Sequence, residues 1–103
     1  MSESEREMNL ENLIRDKAEE ILRISRRHGA RRLRVFGSIG RGEASATSDL
    51  DILVDMEKRS TLLDIVAIKQ DLEDMLGCRV DVVTESALSP YIREEVLREA
   101  KIL

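Results

Sequence analysis

Two aspartates, Asp49 and Asp51, stand one residue apart at the head of an apolar run, Ser48-Asp49-Leu50-Asp51-Ile52-Leu53-Val54. On a strand, successive side chains alternate faces, so both carboxylates point one way while Leu50, Ile52 and Val54 point the other. Like charges held side by side repel, and the pair makes sense with a divalent cation between them. Upstream, Val35-Phe36-Gly37-Ser38-Ile39-Gly40-Arg41-Gly42 sets a glycine-serine turn directly after another apolar stretch. Gly37, Gly40 and Gly42 permit close approach of backbone N–H groups to a polyanion, and Ser38 can donate its hydroxyl to a phosphate oxygen. Arg41 offers either a phosphate contact or a surface ion pair with Glu43. A third carboxylate, Asp81, lies in Val80-Asp81-Val82-Val83. If that segment runs beside the first pair, Asp81 becomes a metal ligand, a general base for an attacking hydroxyl, or both. Phosphoryl or nucleotidyl transfer needs these parts: N–H donors for phosphates, divalent metal for developing charge, and carboxylates to hold the metal.

Plainer roles exist for the same residues. A glycine-serine pair alone is an ordinary turn, and Asp49 beside Ser48 can cap a neighbouring N–H. Asp81 can pair with Arg34 or Arg79. Asp51, inside an apolar run, is harder to explain away, because a half-buried carboxylate needs a partner. Asp55 continues the same face but sits at the strand's end, where solvent is expected. His28 reads as a helix-end residue, Cys78 as a small core residue, and Tyr91 as core or interface. The arginines at 26, 27, 31, 32 and 34 form either a basic patch or a solvated set balancing nearby acids.

Local patterns define the elements that must carry these groups. Apolar residues at Leu10, Leu13, Ile14, Ala18, Ile21, Leu22 and Ile24 follow helical spacing from about Asn9 to His28, with Gly29 as the stop. Arg32 to Phe36 reads as a strand, with Leu33 and Val35 alternating against arginines. Gly37 to Thr47 is a loop, and Asp49 to Met56 a second strand. Thr61-Leu62-Leu63-Asp64 has the form of a capping box opening a helix that ends at Gly77, with Leu62, Ile65, Ile68, Leu72 and Met75 on one face. Arg79 to Val83 is a third strand. Ser89-Pro90 opens a last helix expected to bury Ile92, Val96 and Ala100. The resulting order predicts an α+β domain with a small mixed β-sheet backed by helices.

Composition narrows the class. The 103 residues make one domain, with residues 1–8 a polar, disordered tail and 9–103 the folded unit. Aromatics are 2% of the chain, so the core must be aliphatic. A net charge of -4 argues against strong direct nucleic-acid binding, which draws on dense Lys and Arg. The single cysteine and the absence of a signal-like or membrane-crossing segment predict a cytoplasmic protein. So small a domain can build a catalytic face but not a deep nucleotide pocket. A partner chain or self-association would complete the site.

The Gly37-Ser38 pair, the ten residues separating it from Asp49, and Asp49-x-Asp51 resemble the polymerase-beta-like nucleotidyltransferase superfamily. Together with Val80-Asp81-Val82-Val83 and the Pro90-led helix ending in Glu99-Ala100, they are similar to the minimal nucleotidyltransferases that pair with HEPN-domain RNase toxins. The resemblance spans residue 10 to the end. It implies that fold, and an antitoxin that transfers AMP from ATP to a tyrosine of its HEPN toxin. It further implies triphosphate binding by Gly37 and Ser38, and Mg²⁺ held by Asp49 and Asp51 with Asp81 completing the triad. Two rivals accompany it. One is a module that neutralises the toxin by occlusion alone. The other is a small-molecule nucleotidyltransferase, which usually carries an acceptor domain that this length leaves no room for.

Overall fold

The computed structural model describes residues 10–37 and 49–103. Its elements run α1 (Leu10–Arg27), β1 (Ala30–Phe36), β2 (Leu50–Met56), α2 (Leu62–Leu76), β3 (Val80–Thr84), α3 (Pro90–Glu99) and β4 (Lys101–Ile102), with a 3₁₀ turn, Glu85–Ala87, between β3 and α3. The strands form one mixed sheet in the order β3-β2-β1-β4. β1 pairs antiparallel with β2 and β4, whereas β2 and β3 are parallel. A parallel pair needs a crossover, and α2 supplies it. The α+β class and the mixed sheet therefore stand as expected.

Element ends follow local chemistry. At the start of α2, the Thr61 N–H donates to Asp64 Oδ2 at 2.8 Å, the reach-back bond of a capping box. The helix closes at Gly77, whose φ of 68° is left-handed and whose N–H donates to the Glu73 carbonyl at 2.9 Å. Ser89 caps α3, with Pro90 at the first helical position and Ser89 Oγ accepting from the Tyr91 N–H at 3.3 Å.

The sheet is covered on both faces. On one, Leu33, Val35, Leu50, Ile52, Val54 and Val80 pack with Ile14 and Ile21 of α1 and with Ile68, Leu72 and Leu76 of α2. On the other, Leu53 packs with Leu88 and Val96, joined by Phe36, Val83 and Leu97. β2 is thus apolar on both sides at its centre, and its carboxylates Asp51 and Asp55 flank Leu53. No helix among the described residues is long and apolar enough to cross a membrane.

Several local expectations need correction. β1 begins at Ala30 rather than Arg32, because an irregularity between Ala30 and Arg32 breaks the alternation that marks a strand. β4 is only two residues long, too short to leave a pattern. Leu62 is 78% exposed, and the buried stripe of α2 is Ile68, Leu72 and Leu76. On α3 only Val96 is buried: Ile92 is 46% exposed, and Ala100, the residue that follows the helix, is half-buried. Tyr91 is 96% exposed, which removes the core alternative for it and leaves the interface one. The N-terminal tail expected at residues 1–8 lies outside the described residues.

Candidate active site

The register of the sheet aligns the candidate residues across three strands. Phe36, the last residue of β1, faces Asp51 of β2, and Asp51 faces Asp81 of β3. In a parallel pair, facing residues project to the same side, so the Asp51 and Asp81 carboxylates share a face. Asp49 sits exposed one residue before β2. Between it and Asp51 is Leu50, completely buried, with its N–H donating to the Arg79 carbonyl at 2.9 Å. That bond locks the register at the point where the carboxylates emerge.

Gly37 closes the row. It follows Phe36 directly and has a φ of 68°, a conformation glycine adopts without steric cost. A Cβ at this position would collide with Asp51 Oδ2 and lie 3.2 Å from Asp51 Cγ. The carboxylate therefore occupies the space a side chain would need. Both features, the left-handed backbone and the contact, demand glycine. Ser38 and Arg41, the other phosphate-binding candidates, lie outside the described residues, as do Gly40, Gly42 and Ser48.

The alternative ion pair for Asp81 does not form. Arg34, whose side chain is only 13% exposed, points to Asp55 and Glu85, each at 3.7 Å. Among the described residues Asp81 makes no ion pair with Arg34 or Arg79. Asp55, expected in solvent, is instead partly buried and accepts from Arg32 Nε at 2.7 Å. The carboxylates of β2 thus divide: Asp55 is neutralised by arginines at one end of the strand, and Asp51 lies with Asp81 at the other.

The surroundings of Asp81 reveal two residues that sequence reasoning missed. Lys69 Nζ of α2 donates to the Val80 carbonyl at 2.6 Å, and Glu73 Oε2 accepts from the Val80 N–H at 3.0 Å. The two side chains also pair with each other at 3.1 Å. The Val80 N–H and the Lys69 ammonium hold the Glu73 carboxyl below its ordinary range. Nearby, burial pushes the Cys78 thiol up, with the negative charge of Asp49 adding to the effect. Cys78 is half-buried against the core, as expected of a small apolar residue.

A hard divalent cation suits this donor set, since all three candidates are carboxylate oxygens, the ligands such a cation takes. The described residues do not gather three such side chains into a closed ligand cluster. What they provide is two carboxylates on adjacent strands, a third just upstream, and a glycine that lets the chain pass against one of them.

The nucleotidyltransferase domain family matches residues 15–103. The protein adenylyltransferase MntA of Thermococcus cleftensis is 47% identical over 76 residues, covering 74% of this chain and 77% of that protein. A solved structure described provisionally as a minimal nucleotidyltransferase superposes with a TM-score of 0.80 at 52% identity, covering 90% of this chain and 95% of the other. The MNT antitoxin of Shewanella oneidensis, in complex with its tri-AMPylated HEPN toxin, shares the fold: TM-score 0.62 and 22% identity over 90% of this chain and 71% of that one. The chain belongs to the nucleotidyltransferase family, in its minimal form, and is an enzyme of that class.

Proposed function

We propose that this protein is an antitoxin that transfers AMP from ATP to a tyrosine of a HEPN-family RNase toxin in the cytoplasm. The carrying observation is the row Gly37–Asp51–Asp81, in which a glycine-only position abuts one carboxylate and a parallel register places the second beside it. The family relationship, and the relatives' names as protein adenylyltransferase and as antitoxin bound to an AMPylated HEPN toxin, support the same reading.

In this reading Asp49 and Asp51 hold Mg²⁺, with Asp81 completing the ligand set. When bound, Mg²⁺ neutralises phosphate charge and polarises the α-phosphate. The protein's own contribution is to place groups. Gly37, with Ser38 and Arg41, cradles the triphosphate of ATP. Asp81 accepts the proton of the attacking tyrosine hydroxyl as its oxygen bonds to the α-phosphorus. The bond from the α-phosphorus to the bridging oxygen breaks in line, and pyrophosphate leaves. The domain has little material for enclosing an acceptor, which favours an acceptor that brings its own surface, a protein.

The test is to incubate the chain with labelled ATP, Mg²⁺ and the product of the neighbouring gene. Label on that product, abolished in the Asp49→Ala, Asp51→Ala double variant, supports the proposal. Full toxin neutralisation by the double variant, with no label transferred, would replace it by occlusion alone.

A further inference from the structure

Asp81 lies on an edge strand. Among the described residues β3 is flanked by β2 on one side only, and an unsupported edge is free to bend or slip. Three neighbouring hydrogen bonds hold the chain just before Asp81. Toward β2, the Arg79 carbonyl accepts the Leu50 N–H at 2.9 Å, so the chain just before Val80 is tied into the sheet. Toward α2, both backbone polar groups of Val80 are taken: its N–H by Glu73 Oε2 at 3.0 Å, its carbonyl by Lys69 Nζ at 2.6 Å. The Val80 carbonyl belongs to the peptide plane that carries the Asp81 nitrogen. Fixing that plane fixes the Cα from which the carboxylate projects.

Lys69 and Glu73 are placed for this by the helix itself. They lie four residues apart, one position after Ile68 and Leu72, which anchor α2 in the core with no exposure. Their row therefore runs beside the buried stripe, along the β3 edge. Each neutralises the other at 3.1 Å, so the clamp adds no net charge near the three aspartates. Both bonds to Val80 are charge-assisted, stronger than neutral ones. A lone hydrogen-bonded surface pair would need no backbone partner. Here both members spend a bond on the residue before Asp81.

We propose that Lys69 and Glu73 are positioning residues for AMP transfer, acting through the Val80 backbone to hold Asp81 in line with Asp51. The inference rests on the role given to Asp81 above. It assigns to α2 a part in the reaction, not only in packing.

The experiment measures kcat and KM for ATP in the labelled-transfer assay, normalised to folded protein by thermal melting. The variants are Glu73→Ala, Lys69→Met, Glu73→Gln, Lys69→Arg and Asp81→Asn. Displacing a reacting group by a fraction of an ångström to an ångström lowers the chemical step, so kcat should fall about tenfold or more in Glu73→Ala and in Lys69→Met. KM for ATP should stay within about twofold, because the triphosphate cradle lies on β1 and its loop. Glu73→Gln keeps an oxygen to accept from Val80, and Lys69→Arg keeps a donor, so both should recover most of the rate. If Glu73→Ala and Lys69→Met keep wild-type kcat while Asp81→Asn is inactive, the positioning role is wrong and the Asp81 role stands. Should Asp81→Asn itself transfer AMP at the wild-type rate, the Asp81 assignment fails, and this proposal with it. Loss of folded protein with unchanged kcat in the folded fraction would reduce the clamp to a stabilising contact and overturn the proposal.

Discussion

The carboxylate of Asp51 lies against the Cα of Gly37, in the space that any larger residue's Cβ would fill. Gly37→Ala therefore meets two penalties, the collision and a φ of 68°. A non-glycine residue in a left-handed conformation costs about 1–2 kcal/mol. For a domain of this size that lowers Tm by roughly 4–8 °C per kcal/mol. The displaced carboxylate should cost AMP transfer more, on the order of 100-fold for a shift near 1 Å. Melting and labelled transfer on the same sample check both. A fully active Gly37→Ala would show that Asp51 need not stay where it is.

Asp51→Asn separates charge from shape, since the side chain keeps its size. Wild type should gain stability on adding Mg²⁺, by about 2.7 kcal/mol at one hundred times Kd, and the variant should gain far less. Transfer should fall at least about 100-fold, the loss expected when a metal ligand worth several kcal/mol goes. Equal Mg²⁺ stabilisation of both proteins in a melting series would remove Asp51 from the ligand set.

The alternation around Asp51 was legible because β2 must bury Leu50, Ile52 and Val54 on one side; Asp49, expected to open the strand, lies one residue before it. The pairing of Asp51 with Asp81 was only conditionally legible, since register is set by tertiary contacts such as the Leu50–Arg79 bond and not by local pattern. Leu53 was read simply as part of an apolar run. Its meaning, a second core under α3, needs the whole fold. Lys69 and Glu73 left no signal, because an i,i+4 charge pair on a helix is ordinary and their common target is a backbone unit eleven and seven residues away. Arg34 and Asp55 likewise find each other only across a strand pair whose register is shifted at Ala30.

Acid stability should carry the signature of Glu73. Its carboxyl is held below the ordinary value of 4.5 in the folded state, chiefly by the Val80 N–H and next by Lys69. The unfolded chain therefore binds a proton more readily, and stability rises with pH through this range. The contribution is fully present above about pH 4.5 and is lost as pH falls through the lower folded value. Melting curves of wild type and Glu73→Gln should differ at pH 7 and at pH 5.5, and converge below pH 4.5 as the carboxyl protonates. A difference that persists unchanged into strong acid would mean the charge of Glu73 contributes nothing.

Ser25, in the last turns of α1, is completely buried, and its Oγ has no hydrogen-bond partner among the described residues. Burying a hydroxyl without a partner costs about 1–3 kcal/mol in proteins. Serine is also a poorer helix former than alanine by a few tenths of a kcal/mol, about 0.5 at most. Replacing one oxygen by hydrogen leaves a void much smaller than a methylene deletion in a leucine-lined core. The first two terms outweigh the third, so Ser25→Ala should stabilise the domain by about 1 kcal/mol and raise Tm by roughly 4–8 °C. Transfer activity should not change, because α1 packs on the face of the sheet opposite Asp51 and Asp81. A destabilised Ser25→Ala would reveal a partner for this hydroxyl, and a stable but inactive one would tie α1 to the chemistry across the sheet.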